Sequence, residues 1–215
     1  GEYSALCCAE SLNFKDTLLL LRDRGNAMNN AVKNGNGGMV AILGADKNKV
    51  DQLLSDNQDD FKCYIANDNS PGQIVVSGEL KNLELLQSKL SNEKIKNIKL
   101  PVSAPFHCPL MKNATIEMLD KIKSIEFKTP TVKVYSNVSA TFSKNSNEIK
   151  KLLLEQIESP VRWREIIENM SKNGVNNFIE IGPGKVLSGL VKRIDRNNIV
   201  NQVNNLEDIK RINLK

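Results

Sequence analysis

The sequence has few of the side chains that most often carry metal, redox and nucleic-acid chemistry. It contains one histidine and four cysteines, and aromatic residues make up 5% of its 215 positions. No two cysteines form a CxxC pair, and a single histidine offers no Cys/His spacing for a metal site. The net charge of +5 is spread along the chain without an Arg-rich block. These features argue against nucleic acid as a partner and favour an acidic partner.

Long hydrophobic runs are also absent. No apolar stretch reaches the roughly 18 residues that a membrane span needs, and the opening Gly1-Glu2-Tyr3 is unlike a signal peptide. Hydrophobic residues nevertheless make up 40% of the chain, which is enough for a buried core. We expect a cytoplasmic protein with reduced thiols, built as one large domain or as one domain that carries a smaller one.

The single histidine, His107, lies in an apolar, turn-rich run from Leu100 to Met111. It is the one side chain here whose unperturbed pKa lies near neutrality, which makes it the first candidate for proton transfer. A histidine packed in a loop with both ring nitrogens hydrogen-bonded fits the local sequence equally well. A dyad with the adjacent Cys108 is not expected, because neighbouring side chains rarely point at each other.

The apolar pattern predicts an α/β fold that opens with two helices, at 2–9 and 14–32. Asn13 caps the second helix, with Asp16 three residues later as in a capping box. A Gly/Asn break at 34–38 precedes a β-α-β-β-α-β order, the ferredoxin-like arrangement. Its predicted strands are 39–43, 62–66, 73–77 and 95–101, and its predicted helices are 46–57 and 80–90. We therefore predict an inserted ferredoxin-like subdomain over 37–101.

Residues 1–36 and 102–215 are predicted to form the larger domain. Predicted helices at 109–125, 147–157, 160–173 and 185–194 alternate with predicted strands at 131–136, 177–181 and 199–203. This alternation favours a mostly parallel sheet that helices cover on both faces. Three strands are few, since roughly five or six are usual in a sheet. We expect this domain to be incomplete at its N-terminal side.

Short motifs along the whole chain resemble the malonyl-CoA:acyl-carrier-protein transacylase family. Gly1-Glu2-Tyr3-Ser4-Ala5-Leu6 is similar to the second half of the family signature Gly-His-Ser-Leu-Gly-Glu-Tyr-Ser-Ala-Leu. Further matches follow in the family's order: Arg24-Gly25 with Met28, GGMVA at 37–41, NDNSPGQ at 67–73, PVSAPFH at 101–107, Gln156 before PVRW at 160–163, and GPGKVL at 182–187. The resemblance implies a large α/β domain with an inserted ferredoxin-like subdomain, in agreement with the pattern.

The resemblance implies acyl transfer through a serine ester in fatty-acid biosynthesis. The serine attacks the thioester of malonyl-CoA, and the malonyl group then passes to the phosphopantetheine thiol of an acidic acyl carrier protein. His107 matches the general base, and the backbone carbonyl of Gln156 matches the acceptor that orients the imidazole. Since every residue has such a carbonyl, Gln156→Ala is expected to matter much less than His107→Ala. No bound cofactor and no metal are expected.

Four more residues match substrate-binding positions of the family. Arg24 matches the arginine that holds the free carboxylate of malonate through two parallel hydrogen bonds. An acetyl group lacks this carboxylate and would leave Arg24 unpaired, which predicts selectivity for malonyl groups. Met28 and Met39 match apolar pocket positions, a role compatible with ordinary core methionines. Phe106 resembles the residue of malonyl-selective members, whose bulk leaves little room for a 2-methyl branch.

Other candidate contacts keep two interpretations each. Gly182-Pro183-Gly184 either presents backbone N–H groups, including that of Gly184, to substrate at the start of a helix, or forms a tight turn. Lys185, Lys192 and Arg193 either meet the carrier protein or form a solvated helix end. Asn69, in the Asn-Ser-Pro-Gly loop, is a further candidate contact with substrate or carrier.

The family's nucleophile has no counterpart among the 215 residues. In the family, the serine stands two positions before the residue that matches Gly1, and neither Ser4 nor Ser70 has the spacing to replace it. We expect the parent protein to be a malonyl transacylase and this chain alone to be inactive. A polyketide-synthase-type acyltransferase unit and a non-catalytic carrier-protein-binding remnant are the alternatives. A binder needs neither His107 nor Arg24, so their presence together favours an enzyme.

Overall fold

The two helices that open the chain lie where the sequence predicts them. The computed structural model of the protein describes residues 1–32, 35–56 and 61–212. Helix α1 spans Glu2–Cys8 and helix α2 spans Phe14–Asn30. The predicted cap is present, because the side chain of Asn13 accepts a hydrogen bond of 2.9 Å from the backbone N–H of Asp16. The predicted break at 34–38 begins at Asn34, which lies outside the described residues.

Residues 37–99, which we call the insert, have a sheet and a core of their own. The elements in chain order are β1 (Gly37–Leu43), α3 (Lys47–Asp56), β2 (Cys63–Ser70), β3 (Gln73–Glu79), α4 (Leu80–Asn92) and β4 (Lys96–Lys99). The strands lie in the order β2-β3-β1-β4, and all neighbouring pairs are antiparallel. Six of the seven residues of β1 are buried because both faces of this central strand pack against apolar clusters. The predicted end of α3, at 57, lies outside the described residues.

The remainder, residues 1–32 and 100–212 of the described chain, is called the flanking part. After a single 3₁₀ turn at Pro109–Met111, its elements are α5 (Lys112–Ser124), α6 (Ser146–Glu158), α7 (Trp163–Lys172), β5 (Asn177–Ile181), α8 (Val186–Ile194), β6 (Ile199–Val203) and α9 (Leu206–Arg211). Its main core lies between helices and includes the fully buried side chains of Leu20, Met118, Ile122 and Leu153. No helix within the described ranges is long and apolar enough to cross a membrane.

The predicted strand at 131–136 is wrong, and the predicted mostly parallel sheet stays a prediction beyond the one parallel pair of the described residues. The segment is a loop with one isolated bridge, between Tyr135 and Phe142. Val132 supplies the alternating pattern of a strand, yet its side chain is 63% exposed. The backbone N–H of Thr131 donates to the carbonyl of Ala9 instead of to a strand. Within the described residues, the flanking part contains one parallel pair, β5 with β6.

Helix α7 begins three residues later than predicted because Val161 pairs with the insert. The backbone N–H of Asp68 donates to the carbonyl of Val161, and the N–H of Val161 donates to the carbonyl of Ala66. The guanidinium of Arg164 also forms a hydrogen-bonded ion pair with the buried carboxylate of Asp68, with its Nη2 at 2.8 Å from Oδ2. These bonds fix the insert against α7.

The insert also contacts the loop that leads to His107. Gly37 begins β1, and a Cβ atom at this position would lie 2.2 Å from Cδ of Pro105, so only glycine fits. The hydroxyl of Ser77, buried on β3, donates to the backbone carbonyl of Phe106 at 2.5 Å. The insert thereby holds the residue immediately before the histidine.

Candidate active site

One cavity of about 530 Å³ brings His107 and Arg24 together. We call it the His107 cavity. Its walls come from α1, α2, α6, α7, the loop at 133–137 and Leu187 of α8. None of the described residues of the insert lines it. The site is therefore built by the flanking part, while the insert supports it from behind.

The backbone at His107 holds the imidazole in an uncommon conformation. Its φ is +60°, in the left-handed region that side-chain-bearing residues rarely adopt. The residues on either side are anchored, since the carbonyl of Phe106 accepts from Ser77 and the thiol of Cys108 donates to the carbonyl of Pro105. Such a conformation persists where the surroundings enforce it, and it is concentrated at functional sites.

The imidazole faces the backbone of α6. Its Nδ1 lies 3.2 Å from the backbone carbonyl oxygen of Gln156, the acceptor position proposed from the sequence. Burial lowers the pKa of His107 to about 4, and the charge of Arg24 acts in the same direction, whereas the carbonyl of Gln156 opposes the shift. The ring is therefore neutral near pH 7 and can accept a proton.

The side chain of Gln156 makes contacts that the sequence analysis did not anticipate. Its Oε1 accepts a hydrogen bond of 2.6 Å from Nη2 of Arg24. Its Nε2 lies 2.9 Å from Nδ1 of His107. The amide is buried, so it forms a direct bridge between the candidate base and the candidate carboxylate-binding residue.

Arg24 projects from α2 into the same cavity without an acidic partner. Among the described residues, no carboxylate lies within 4.0 Å of its guanidinium, and its buried Nε has no hydrogen-bond partner. Glu2, an acidic residue that lines the cavity, accepts hydrogen bonds from the backbone and side-chain nitrogens of Asn137 instead. The Tyr3 ring lies below the guanidinium, with its centroid 5.9 Å from Cζ. A half-buried cation with free donors is a binding group for an anion.

Three predicted substrate residues lie in the cores and outside the His107 cavity. Met28 packs in the helical core of the flanking part, and Met39 packs in a small cluster on one face of the insert sheet. Phe106 contacts both clusters. None of these three side chains lines the cavity with Arg24 and His107.

The remaining candidate contacts are also away from the cavity wall. Asn69 lies half-buried in β2, and Lys185 is exposed just before α8. The N–H of Gly184 donates to the side chain of Asn204 at 2.7 Å. The amides of Leu187 and Ser188 at the start of α8 donate to Glu180. These N–H groups are used within the chain, which favours the tight-turn interpretation of the glycine motif over an anion site.

Two further residues matter to the site beyond those the sequence singled out. The ring of Tyr3 packs against the guanidinium of Arg24, and Tyr3 belongs to the Gly1–Leu6 motif that the sequence analysis identified. Ser77 fixes the carbonyl of Phe106, and the only signal for it was a polar residue in an otherwise apolar strand. Neither contact can be read from local spacing, because each joins residues that are far apart in the sequence.

Comparison with known proteins agrees with this geometry. Residues 1–211 match the model of the acyl transferase domain family. The malonyl CoA-acyl carrier protein transacylase of Bacillus subtilis is 45% identical over 198 residues, which cover 91% of this chain and 62% of that protein. The chain thus spans less than two thirds of that relative's length.

Solved structures show the same likeness. The crystal structure of the acyl-carrier-protein S-malonyltransferase from Bartonella henselae superposes with a TM-score of 0.94 at 42% identity, covering 98% of this chain and 68% of that one. A malonyl-transacylase in complex with its type II PKS acyl-carrier protein superposes with a TM-score of 0.93 at 36% identity, covering 98% and 68%. The chain belongs to the acyl transferase domain family, and its homologues are malonyl CoA-acyl carrier protein transacylases.

Proposed function

We propose that this chain supplies the base and the acyl-recognition group for malonyl transfer from CoA to the phosphopantetheine thiol of an acyl carrier protein, in fatty-acid biosynthesis. The observation that carries the proposal is the convergence of His107 and Arg24 on one cavity, with Gln156 between them. Arg24 has free donors for a carboxylate, and burial keeps the imidazole of His107 neutral near pH 7.

The reaction proceeds through a serine ester. The serine oxygen bonds to the thioester carbonyl carbon while its proton passes to Nε2 of His107. The C–S bond of the thioester then breaks, and the sulfur takes that proton from His107 and leaves as the thiol of CoA. The thiol of the carrier protein then attacks the ester, gives its proton to His107, and releases the serine with that proton. Throughout, the carbonyl of Gln156 accepts from Nδ1–H and fixes the orientation of the ring.

The nucleophile is the serine that precedes Gly1 by two positions in the family signature. We therefore propose that the 215 residues alone are inactive and that activity belongs to the longer protein. Residues 1–36 with 102–215 then form the α/β acyltransferase domain, and 37–101 form its ferredoxin-like subdomain. The strand order β2-β3-β1-β4 supports this division. A cytoplasmic location stays a prediction.

The acceptor in the proposed reaction is an acyl carrier protein. The relative that was solved in complex with a type II PKS acyl-carrier protein supports this choice. We propose that Met28, Met39 and Phe106 shape the acyl site from behind by setting the position of the His107 loop. Lys185 and the basic end of α8 are the proposed contacts for acidic groups of the carrier.

Substitution of His107 tests the proposal in the full-length protein. His107→Asn keeps a residue that tolerates positive φ but removes the base. We expect formation of the malonyl-serine ester from radiolabelled malonyl-CoA to slow by roughly a hundredfold or more. Lys112→Ala, an exposed change at the start of α5, serves as the control. Undiminished labelling of the His107→Asn protein would refute the role of the imidazole.

A further inference from the structure

Nδ1 of His107 faces two groups of Gln156 that it cannot satisfy together. The backbone carbonyl oxygen, at 3.2 Å, requires a proton on Nδ1. The side-chain Nε2, at 2.9 Å, is a donor and requires a lone pair on Nδ1. A neutral imidazole carries one proton, so each contact selects a different tautomer.

Arg24 decides which way the amide of Gln156 points. A guanidinium has donors only, so the atom of Gln156 that lies 2.6 Å from Nη2 of Arg24 must be the oxygen. The amide nitrogen is then the atom that faces His107. The orientation follows from this hydrogen-bond network rather than from a free choice between oxygen and nitrogen.

This arrangement holds His107 in the tautomer that cannot act as the base. With Nδ1 accepting from the amide, the proton sits on Nε2, the nitrogen that the proposed mechanism needs as an acceptor. Among the described residues Nε2 has no hydrogen-bond partner to offset this preference.

We propose that the side-chain amide of Gln156 is a positioning group that couples carboxylate binding at Arg24 to the tautomer of His107. The inference rests on the proposed function, since it requires Arg24 to receive the free carboxylate of the acyl group. When that carboxylate takes the guanidinium donors, Oε1 loses its partner and the amide turns away from the ring. Nδ1 takes up a proton, which donates to the backbone carbonyl of Gln156, and the proton on Nε2 leaves to water in the cavity. The net charge of the ring is unchanged, and Nε2 becomes an acceptor.

The single histidine of this chain makes the tautomer measurable. In the chain labelled with ¹⁵N-histidine, we expect the free protein to show an unprotonated Nδ1 at pH 7, and saturating malonate to protonate it. Gln156→Met keeps the backbone carbonyl and removes the amide, so its Nδ1 should be protonated without malonate. Gln52→Met, which alters an exposed glutamine on α3, should behave like the unmodified chain.

Calorimetry with malonate distinguishes failure of the coupling from failure of the proposed function. One outcome is that malonate binds to the unmodified chain, does not bind to Arg24→Met, and leaves the protonation of Nδ1 of His107 unchanged. That result would overturn the coupling and leave the proposed function standing. Malonate that fails to bind, or that binds equally well to Arg24→Met, would overturn both. A protonated Nδ1 in the free, unmodified chain would also overturn the coupling.

Kinetics of the full-length protein give a second readout. Without the amide, the base is competent whether or not the acyl group carries a carboxylate. We expect Gln156→Met to lower the ratio of malonyl to acetyl transfer by roughly threefold to tenfold, the contribution of one hydrogen bond. A structural role alone would lower both transfers by the same factor, and that result would contradict the proposal.

Discussion

The insert and the flanking part differ in how complete their sheets are and in whether they line the His107 cavity. The insert closes a four-stranded sheet around Val40, Ile42 and Ile74, which are at most 1% exposed. The flanking part has one parallel pair among the described residues, and Ile181 and Ile199 at its strands are 81% and 55% exposed. Yet the His107 cavity belongs wholly to the flanking part. The region with the less complete sheet holds the chemistry, and the region with the complete sheet holds the loop before His107 in place.

This division means that folding and chemistry can be perturbed separately. Helices α2 and α6, which pack in the helical core of the flanking part, carry Arg24 and Gln156. The insert contacts the loop before His107 through Gly37, which packs on Pro105, and through Ser77, which donates to Phe106. Loss of packing in the insert should therefore reach the site through the loop before His107, and through Val161 and α7, which line the cavity.

Core truncations should destabilise the two regions independently. Ile42→Ala in the insert and Ile122→Ala in the flanking part each empty a fully buried position, at a cost of about 2 to 5 kcal/mol. Hydrogen exchange should show lost protection in 37–99 for the first and around α2, α5 and α6 for the second. The controls Ile98→Ala and Ile116→Ala alter side chains that are 47% and 62% exposed. Equal loss of protection throughout the chain in both variants would refute the separation.

The pH dependence of stability should differ between the regions because the insert has no histidine. Burial lowers the pKa of His107 to about 4, so the unfolded chain binds a proton there at a higher pH than the folded chain. Stability contributed by the neutral ring is present above pH 6.5 and is lost as pH falls toward 4. At about 1.4 kcal/mol per pKa unit, the loss at pH 4 is about 3 kcal/mol.

Urea unfolding at pH 7 and pH 4 checks this sign. From pH 7 to pH 4, the free energy of unfolding should fall more for the unmodified chain than for His107→Asn, because only the unmodified chain has the imidazole. The carboxyl groups are common to both proteins, so their contribution cancels when the two falls are compared. An equal fall in the free energy of unfolding for the two proteins would mean that the ring is already protonated, or exposed, in the folded state.

The contact between the regions should show a smaller effect. Asp68→Asn removes the carboxylate that Arg164 grips, and the side chain of Asp68 is 2% exposed. Arg164 keeps its ion pair with Glu168, so its charge is not left unpaired. We therefore expect the free energy of unfolding to fall by about 1 to 3 kcal/mol, which is less than the cost of an unpaired buried charge. Asp51→Asn breaks the exposed pair with Lys47 and should cost below about 0.5 kcal/mol. Equal costs in thermal or urea unfolding would show that the Asp68 pair does not join the regions.

Local patterning predicted the order of the helices and strands at 37–99. These six elements follow one another with short connections, and β1 begins two residues before the predicted position. The segment at 131–136 was predicted wrongly because alternation of Val132 and Val134 resembles a strand. Its backbone N–H groups donate instead to Ala9, at the end of α1, and to the nearby Thr141. Such partners are set by the tertiary fold and leave no trace in a local pattern.

The same limit applied to the candidate site. Motifs identified His107, Arg24 and Gln156, yet they assigned Gln156 only a backbone role. Its side chain meets Arg24 across 132 positions of the chain, a contact that no spacing rule can anticipate. Met28 and Met39 were expected in a substrate pocket, and their apolar character equally suited the cores in which they lie.

Acyl-group selectivity of Arg24→Met in the full-length protein is the most direct test of the central claim. Methionine keeps much of the side-chain length and removes the donors. The account predicts that malonyl transfer falls by roughly 30-fold or more, the effect of losing about 2 kcal/mol from a charged pair, while acetyl transfer is unchanged or rises. Equal loss of malonyl and acetyl transfer would contradict the account, because Arg24 would then support the fold of the site without recognising a carboxylate.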